Sequence, residues 1–440
     1  MKKITKKTTR VKDKNSDPRQ IKSIEIQLWN KVVGFLAETS EGLSFEYEEE
    51  FKNNHWEISP FELSLATTLI YTSPRIGPTF KGLPGIIADC LPDVFGQKVI
   101  DNYFFHHFGI PSNEITPIMS LAYISKRSIG ALEFVPNMTI NNLDQNDILS
   151  LSKLVDAAKK TLEGKSDDVI AEIMKVGASA GGIKAKAVID YNPDTHQIRS
   201  GFNKTKIGFI PSIIKFDGVT EGDYAGYNGK SEYIYNLVAA DCGIRVSRSF
   251  LIHGAAIENG EHPTVHFVSE RFDRDEEKNK PSHVSTYCGL SLSDYRIKNS
   301  SSYENFLRFT KGLCGNDMTQ VEQALRRCVF NVVMKNEDDH TKNFSFLMDQ
   351  QGIWTLSPAY DLTYVRVKNG HQMTIHNKNQ NFNKDDLISL GKSADIKSHK
   401  TMQIIEEVEL SAKRFLEFAE EIALPMDFAQ GIERNFQFLL

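Results

Sequence analysis

The sequence has no long apolar run and no strong excess of charge of either sign. Its most apolar runs, such as Ile213-Ile214 and Val332–Met334, fall far short of the roughly 20 residues that span a bilayer, so no transmembrane helix is predicted. The net charge of −5 argues against nucleic-acid binding by the protein as a whole, which usually requires a strongly basic domain. Both absences favour a globular protein away from membranes.

Cysteine and histidine are too sparsely arranged to form a metal site. The five cysteines are odd in number, widely spaced and never in a Cys-x-x-Cys pair: Cys90, Cys242, Cys288, Cys314 and Cys328. The twelve histidines form no His-Glu-x-x-His set, so a zinc site has no support. The pattern is typical of unpaired thiols in a reducing cytosol and predicts a cytoplasmic protein.

Basic residues are concentrated at the amino terminus. Residues 1 to about 20 contain only two acidic residues, Asp13 and Asp17. Their basic residues are Lys2, Lys3, Lys6, Lys7, Arg10, Lys12, Lys14 and Arg19. No apolar stretch follows that resembles a signal-peptide core. The segment is either a solvated, disordered tail or a basic arm that contacts nucleic acid or an acidic partner.

The length of 440 residues and the hydrophobic content of 40% predict two or three packed units. Alternation from Ile24 to Phe35, then Leu43 to Tyr47, predicts two strands around the turn Ser40–Gly42. Residues 83–108 have helical spacing that Pro92 divides into two helices, and residues 130–134 form a further strand. Residues 141–164 are polar and helix-like. We find no catalytic constellation in this first part.

Two glycine-rich segments come next. Residues 176–183 hold three glycines and Ser179 before an alternating run from Lys186 to Asp190, so their backbone amides are suited either to phosphate contacts or to an ordinary hairpin turn. The second segment, Gly226–Ser231, ends like a phosphate-binding P-loop. Tyr224 occupies the first glycine position of that motif, so we reject a P-loop here.

A lysine and a glutamate then occur with kinase-like spacing. Lys215 ends the β-branched run 207–215, where a kinase places the lysine that holds the α- and β-phosphates, although a surface lysine is the simpler interpretation. Ser231 is a predicted N-cap of the helical run that follows. Glu232, in the first turn of that run, either interacts favourably with the helix dipole or forms an ion pair with Lys215.

The strongest signal lies further along the chain. Asp338 and Asn343 are separated by four residues, the interval of the kinase catalytic loop, where the aspartate accepts the hydroxyl proton and the asparagine binds magnesium. A hairpin is predicted across residues 349–352, and Asp361 follows in the role of the second magnesium ligand. Singly, each acid has a structural explanation as a cap. Their order with Lys215 and Glu232 favours phosphoryl transfer, which depends on positioning and charge neutralisation.

These motifs resemble the HipA family, the kinase toxins of bacterial toxin–antitoxin pairs. The matching stretches occur in the family's order over nearly the whole chain after the tail: residues 29–36, 45–47, 83–84, 91–93, 130–132, 177–187, 213–215, 231–233, 269–274, 338–345 and 356–363. The sequence departs from the family at Ala178, Lys184 and Ala185, and Asp93 stands where glutamate is common.

The resemblance implies an α/β (α+β) fold like that of a protein kinase, with two lobes. It divides the chain into a basic disordered tail (1–22), a β-rich amino-terminal subdomain (23–140), a nucleotide-binding lobe with the glycine-rich loop (141–272) and a mostly helical catalytic lobe (273–440). ATP is expected between the lobes.

The resemblance also implies a role for each matching residue. Asp338 is the expected base, with His340 and Lys342 beside it in the catalytic loop, and Ser179 is the expected site of autophosphorylation. Asn343 and Asp361 are the expected magnesium ligands. The remaining expected ATP contacts are Gly181, Gly182, Lys186, Lys215, Glu232, Glu270, Phe272 and Tyr360.

The expected cofactors are ATP and Mg²⁺, and the expected partner is a HipB-like helix-turn-helix antitoxin that alone contacts DNA. The protein substrate belongs to translation, an aminoacyl-tRNA synthetase being the expected class. Two alternatives stay open at this point: a kinase-shaped binding partner and corepressor of the antitoxin, and a kinase of small molecules.

Overall fold

A computed structural model describes residues 17–66, 70–72, 77–138, 148–164, 173–174, 176, 184–219, 227–254, 264–274 and 281–440. The predicted tail up to residue 16 and the glycine-rich loop with Ser179, Gly181 and Gly182 lie outside these ranges. Within them, no helix combines the length and apolarity that a membrane crossing requires.

The first unit is an antiparallel sheet with helices on it. Its strands have the order β4-β3-β2-β1-β5: β1 Ser23–Leu28, β2 Lys31–Thr39, β3 Gly42–Tyr47, β4 Tyr71–Thr72 and β5 Leu132–Val135. Its helices are α1 Gly77–Phe80, α2 Gly85–Ala88, α3 Val94–Phe108 and α4 Pro117–Ile124. The break at Pro92 and the strand near residue 132 are confirmed.

The prediction of one strand from Ile24 to Phe35 was wrong. Trp29 and Asn30 adopt positive φ angles of 49° and 64°, so the chain reverses there and β1 pairs with β2. Asparagine tolerates this left-handed conformation better than most residues. An alternating pattern continues through a two-residue turn, which explains why it did not show the reversal.

The second unit is a six-stranded antiparallel sheet with the order β10-β11-β9-β7-β8-β6. Its strands are β6 Ile148–Leu149, β7 Lys186–Tyr191, β8 Ile198–Ser200, β9 Ile210–Lys215, β10 Ser249–His253 and β11 Val265–Glu270. Helix α5 (Leu151–Leu162) confirms the predicted helical connector, and α6 (Asn228–Asp241) packs on the sheet. Lys186 pairs directly with Lys215, which sets both side chains on one face.

Ser231 is not an N-cap, contrary to prediction. Helix α6 begins at Asn228, and Ser231 lies within it, where its hydroxyl donates to the Tyr227 carbonyl (2.7 Å). Lys230, the lysine of the rejected P-loop ending, also lies in α6 and donates to the Ala423 carbonyl (2.7 Å). The helix begins three residues before the predicted cap, and the contact of Lys230 with Ala423 joins this first turn to the third unit.

The third unit is mostly helical, with one small antiparallel sheet. Its strands are β12 His283–Thr286, β13 Ser345–Met348 and β14 Trp354–Leu356. Its helices are α7 Tyr287–Ser291, α8 Tyr303–Leu313, α9 Met318–Val333, α10 Lys384–Ser393, α11 Ser398–Ala412, α12 Phe415–Glu421 and α13 Met426–Glu433. The predicted hairpin between β13 and β14 is confirmed.

The first unit is fastened to the third by tryptophans. The sequence has three, and each indole N–H donates to a backbone carbonyl of the other unit: Trp29 to Pro281 (2.7 Å), Trp56 to Gln350 (2.8 Å) and Trp354 to Glu57 (3.1 Å). Trp354 is buried and the other two are half-buried, and each indole supplies apolar contact together with a satisfied donor. The first unit is thereby held at the edge of the cleft between the other two.

Candidate active site

A cavity of about 710 Å³ lies where the three units meet. This volume is within the range of ligand sites in proteins, which is roughly 300–1,000 Å³. The lining contains every expected site residue that the structure describes: Lys186, Lys215, Glu232, Glu270, Phe272, Asp338, His340, Lys342, Asn343, Tyr360 and Asp361. Residues more than 170 positions apart therefore meet in one cleft.

Lys215 joins two carboxylates at the centre of the cleft. Its ammonium donates to Glu232 of α6 and to Asp361, which follows β14. Burial lowers the pKa of Lys215, but the charges of Asp361 and Glu232 outweigh burial and raise it. The lysine thus stays protonated, and its ammonium group is held against the Asp361 carboxylate. The alternative of a solvent-exposed strand lysine is excluded, because its side chain is only 15% exposed.

Asp361 is held ionised. Burial raises its pKa, but Lys215 and Lys186 lower it well below the ordinary value. Its φ of 54° places it in the left-handed region that few non-glycine residues adopt. A backbone conformation that costs energy persists where the surroundings enforce it, and such residues cluster at functional sites.

Asp93 of the first unit lies beside Lys186. One of its oxygens caps α3 through the Gly96 amide (2.7 Å), and the other lies 3.9 Å from the Lys186 ammonium. Burial raises the pKa of Asp93 to about 6, against the lowering effect of Lys186. The first unit therefore places a carboxylate beside a lysine that lines the cavity, a contact that was not predicted from the sequence.

The segment between α9 and β13 places Asp338 in the lining of the cavity. The Asn343 amide donates to the Asp338 carbonyl (2.8 Å), and the His340 Nε2 lies 3.9 Å from the Asp338 carboxylate. Burial raises the pKa of Asp338; His340 lowers it, whereas Asp361 and Asp339 raise it further. A raised pKa makes a carboxylate a better proton acceptor at neutral pH.

Asp339 anchors this loop through buried hydrogen bonds. It is buried and accepts hydrogen bonds from the Tyr303 hydroxyl (2.7 Å), His371 Nδ1 (2.8 Å) and the backbone N–H of Gln372 (2.7 Å). Asn331 of α9 in turn donates to Tyr303 (3.0 Å). The sequence did not predict this role, because the partners of Asp339 are too distant along the chain for local spacing to reveal them.

Two aromatic residues also line the cavity. The Phe272 and Tyr360 rings lie 5.7 Å apart, and the Tyr360 hydroxyl donates to the Lys342 carbonyl (2.8 Å). The Glu270 amide donates to the Arg248 carbonyl (2.9 Å), whereas in the described residues the Phe272 amide donates no hydrogen bond. Phe272 thus offers a donor and an apolar face to a planar heterocycle.

The oxygens of Asn343 and Asp361 fit magnesium. Carboxylate and amide oxygens are the hard ligands that Mg²⁺ prefers, and it typically takes one or two from protein and the rest from phosphates and water. Among the described residues no cluster of three or more His, Cys, Asp and Glu side chains forms a dedicated metal cage. The set suits a metal that arrives with its nucleotide.

Two further features of the lining were missed from the sequence. Asp89 follows α2, is half-buried, and accepts from the Ser285 hydroxyl (2.8 Å) and the Thr286 backbone N–H (2.7 Å), which ties the first unit to β12. Tyr295 and Arg296, after α7, line the cavity near Asp338. The matching stretch at residues 91–93 was the only sequence signal that the first unit approaches the cleft.

Family models match both parts of the chain. The HipA N-terminal domain matches residues 24–135, and the HipA-like C-terminal domain matches residues 178–415. A Haemophilus influenzae protein named "Putative kinase" is 28% identical over 182 residues, which are 38% of this chain and 52% of that protein. The chain thus spans about half the length of this relative.

A solved structure has the same fold. The HipA, HipB and operator DNA complex of the Shewanella oneidensis MR-1 toxin–antitoxin system contains a chain that is 16% identical, with a TM-score of 0.64. The match covers 93% of this chain and 95% of the other. The expected two-lobed α+β fold is confirmed.

Proposed function

The chain belongs to the HipA family, and from that premise we propose that it is an ATP- and magnesium-dependent Ser/Thr protein kinase. The observation that carries the proposal is the meeting of Lys215, Glu232 and Asp361 with Asp338 and Asn343 in one cleft. Phosphoryl transfer needs this combination of fixed positive charge, metal-binding oxygens and a base.

In the proposed reaction, the acceptor hydroxyl oxygen forms a bond to the γ-phosphorus while the bond from that phosphorus to the β,γ-bridging oxygen breaks. Asp338 takes the hydroxyl proton, and ADP leaves. Lys215 and Lys186 hold the phosphates. Asn343 and Asp361 would hold magnesium, which would neutralise phosphate charge there. Phe272 and Tyr360 enclose the adenine, and Glu270 lies at the same end of the cavity.

The glycine-rich loop completes the proposed nucleotide site. Gly181 and Gly182 would cover the phosphates, and Ser179 is the proposed site of autophosphorylation. Because a phosphoryl group adds about −1.5 to −2 charges, its presence there would repel ATP phosphates and switch the enzyme off.

We further propose that the protein is the toxin of a cytoplasmic toxin–antitoxin pair. Its partner would be a HipB-like helix-turn-helix protein that contacts DNA, and its substrate a translation protein such as an aminoacyl-tRNA synthetase. Support comes from family membership and from the fold shared with a chain solved in a HipA–HipB–operator complex. Copurification with a helix-turn-helix protein encoded beside it tests the partner.

Labelled ATP tests the reaction and the class of acceptor together. The purified protein is incubated with γ-labelled ATP and Mg²⁺, and separately with lysate proteins, amino alcohols and sugars. Label on Ser or Thr, located by mass spectrometry and absent with Asp338→Asn, is the expected result. Label only on a small molecule would establish the small-molecule kinase instead, and no label on any acceptor would contradict the kinase proposal.

A further inference from the structure

A group of cations surrounds the Tyr295 ring where the cavity passes Asp338. The Arg296 guanidinium lies 5.6 Å from the ring centroid and the Lys342 ammonium 5.4 Å from it. The His340 ring packs against the same ring at 5.1 Å, and His340 in turn lies 3.9 Å from the Asp338 carboxylate. The ring thus connects the two cations to the proposed base.

Lys81, from the first unit, adds a third cation. The Thr79 hydroxyl donates to the Asp294 carboxylate, which holds the segment just before Lys81 against the segment that carries Tyr295 and Arg296. Burial, Arg296 and Lys342 lower the pKa of Lys81, whereas Asp101 raises it. We call Lys81, Tyr295, Arg296 and Lys342 the acceptor-side cluster. Like charges held together repel, so the cluster favours a bound anion.

The cluster has no direct carboxylate partner among the described residues. None of its three cations forms a salt bridge there; Lys81 donates to the Gln97 amide oxygen (3.2 Å). The acids nearby have other donors: Asp89 accepts from Ser285 and Thr286, and Asp101 accepts from Gln97 (2.9 Å). Asp101 and Asp89 offset part of the charge of Lys81 and Lys342 without forming salt bridges, so the Arg296 guanidinium is the cation best placed to pair with an anionic ligand.

The cluster is also separate from the residues proposed for ATP. The phosphate-holding lysines lie on β7 and β9, and the second magnesium ligand follows β14. Lys81 follows α1 of the first unit, and Tyr295 and Arg296 follow α7, segments that supply no proposed nucleotide contact. Only Lys342 belongs to the catalytic loop. An anion at Lys81 and Arg296 would thus belong to the acceptor.

We propose that the acceptor-side cluster binds an acidic side chain of the protein substrate, close in sequence to the phosphorylated Ser or Thr. This inference rests on the proposed kinase function. The path from Asp338 through His340 and Tyr295 to Arg296 spans roughly 15 Å, which is about four extended residues. The preferred substrate segment therefore carries Asp or Glu within about four residues of the acceptor hydroxyl.

Matched peptides test the preference. Ser-containing peptides carry Glu, Gln, Lys or phosphoserine at each position within four residues of the acceptor, and kcat/KM is measured at saturating ATP. The wild-type protein is expected to prefer Glu over Gln by about tenfold at one position, as expected for a partly exposed charge pair close to the chemistry. Arg296→Glu should reverse the preference toward Lys at that position.

Control variants separate this effect from general damage. Lys81→Ala should reduce the Glu preference and leave KM for ATP and the rate with the Gln peptide unchanged. Lys392→Ala, an exposed lysine of α10, should change neither quantity. Arg296→Glu binding ATP like the wild type would show that this variant is folded.

The outcomes distinguish the two proposals. No labelled peptide with the wild-type protein, under conditions in which ATP binds, would contradict the kinase function on which this inference rests. Labelled peptides with equal kcat/KM for Glu and Gln at every position would overturn the acidic preference alone. A preference for phosphoserine without one for Glu would overturn it as well and assign the cluster to phosphate.

Discussion

Replacing Asp339 by Asn should damage catalysis without touching any proposed ATP contact. Asp339 accepts hydrogen bonds from Tyr303, His371 and Gln372 in a fully buried setting. An asparagine has one oxygen and directs two N–H groups at former donors. If the side-chain oxygen of the new asparagine accepts from the backbone N–H of Gln372, Tyr303 and His371 lose their acceptor.

The magnitude follows from these contacts. A hydrogen bond to a charged group contributes about 1.5–3 kcal/mol, and a buried donor left unpaired costs a similar amount. We therefore expect Asp339→Asn to lower the free energy of unfolding by about 3 kcal/mol, measured by urea denaturation. Because the loop holding Asp338 loses its anchor, kcat should fall about 100-fold, the effect typical of a displaced catalytic group.

A pH profile separates positioning from mere loss of stability. The charge of Asp339 helps to raise the pKa of Asp338, so its removal should lower that pKa. Since the base must be deprotonated, the rate rises with pH through this pKa, and the acidic limb of kcat should move to lower pH in Asp339→Asn. Tyr303→Phe removes one donor but keeps the charge, so it should be less stable with the acidic limb unmoved. A variant with kcat within twofold of wild type and an unmoved limb would refute this reasoning.

Three other substitutions probe separate parts of the molecule. Lys215→Met leaves two carboxylates facing each other, so kcat should fall at least 100-fold and the free energy of unfolding at pH 7 by about 3 kcal/mol, measured by radiolabel transfer and urea denaturation. Asp93→Asn keeps the α3 cap but loses the charge beside Lys186, so KM for ATP should rise about fivefold. Asp93→Glu should restore it, and an unchanged KM in Asp93→Asn would contradict a role of Asp93 in positioning Lys186. Burial lowers the pKa of His283 to about 4, so the folded protein holds this imidazole neutral. Its contribution to the free energy of unfolding is therefore fully present above pH 6.5 and is lost as the pH falls toward 4. In His283→Gln the loss of stability between pH 7 and pH 5 should therefore be smaller than in the wild type by about 2 kcal/mol, and an equal loss would contradict this titration.

The sequence predicted the strands and helices whose pattern is local. The hairpin between β13 and β14, the lysine at the end of β9 and the helix break at Pro92 all have short-range causes, namely turn residues, alternation and the missing proline N–H. The two errors also have local causes. The turn at Trp29-Asn30 interrupts an alternating run without glycine or proline, and α6 extends beyond its polar start.

The candidate site was predictable only where its residues lie in ordered motifs. Lys215, Glu232, Asp338 and Asp361 have family spacing, and the structure brings them together. The approach of Asp93 to Lys186 and the hydrogen bonds around Asp339 join residues that are far apart in sequence. Such contacts depend on how the units dock, which no local periodicity encodes.

Asp338→Asn provides the most direct measurement of the central claim, because it separates ATP binding from phosphoryl transfer. The dissociation constant of Mg²⁺-ATP is measured by calorimetry and the transfer rate with γ-labelled ATP, for wild type and variant. The proposed base predicts dissociation constants within about threefold and a transfer rate lower by at least 100-fold in the variant. A variant that transfers phosphate at the wild-type rate, or a wild-type protein that binds Mg²⁺-ATP and transfers nothing, would contradict the account.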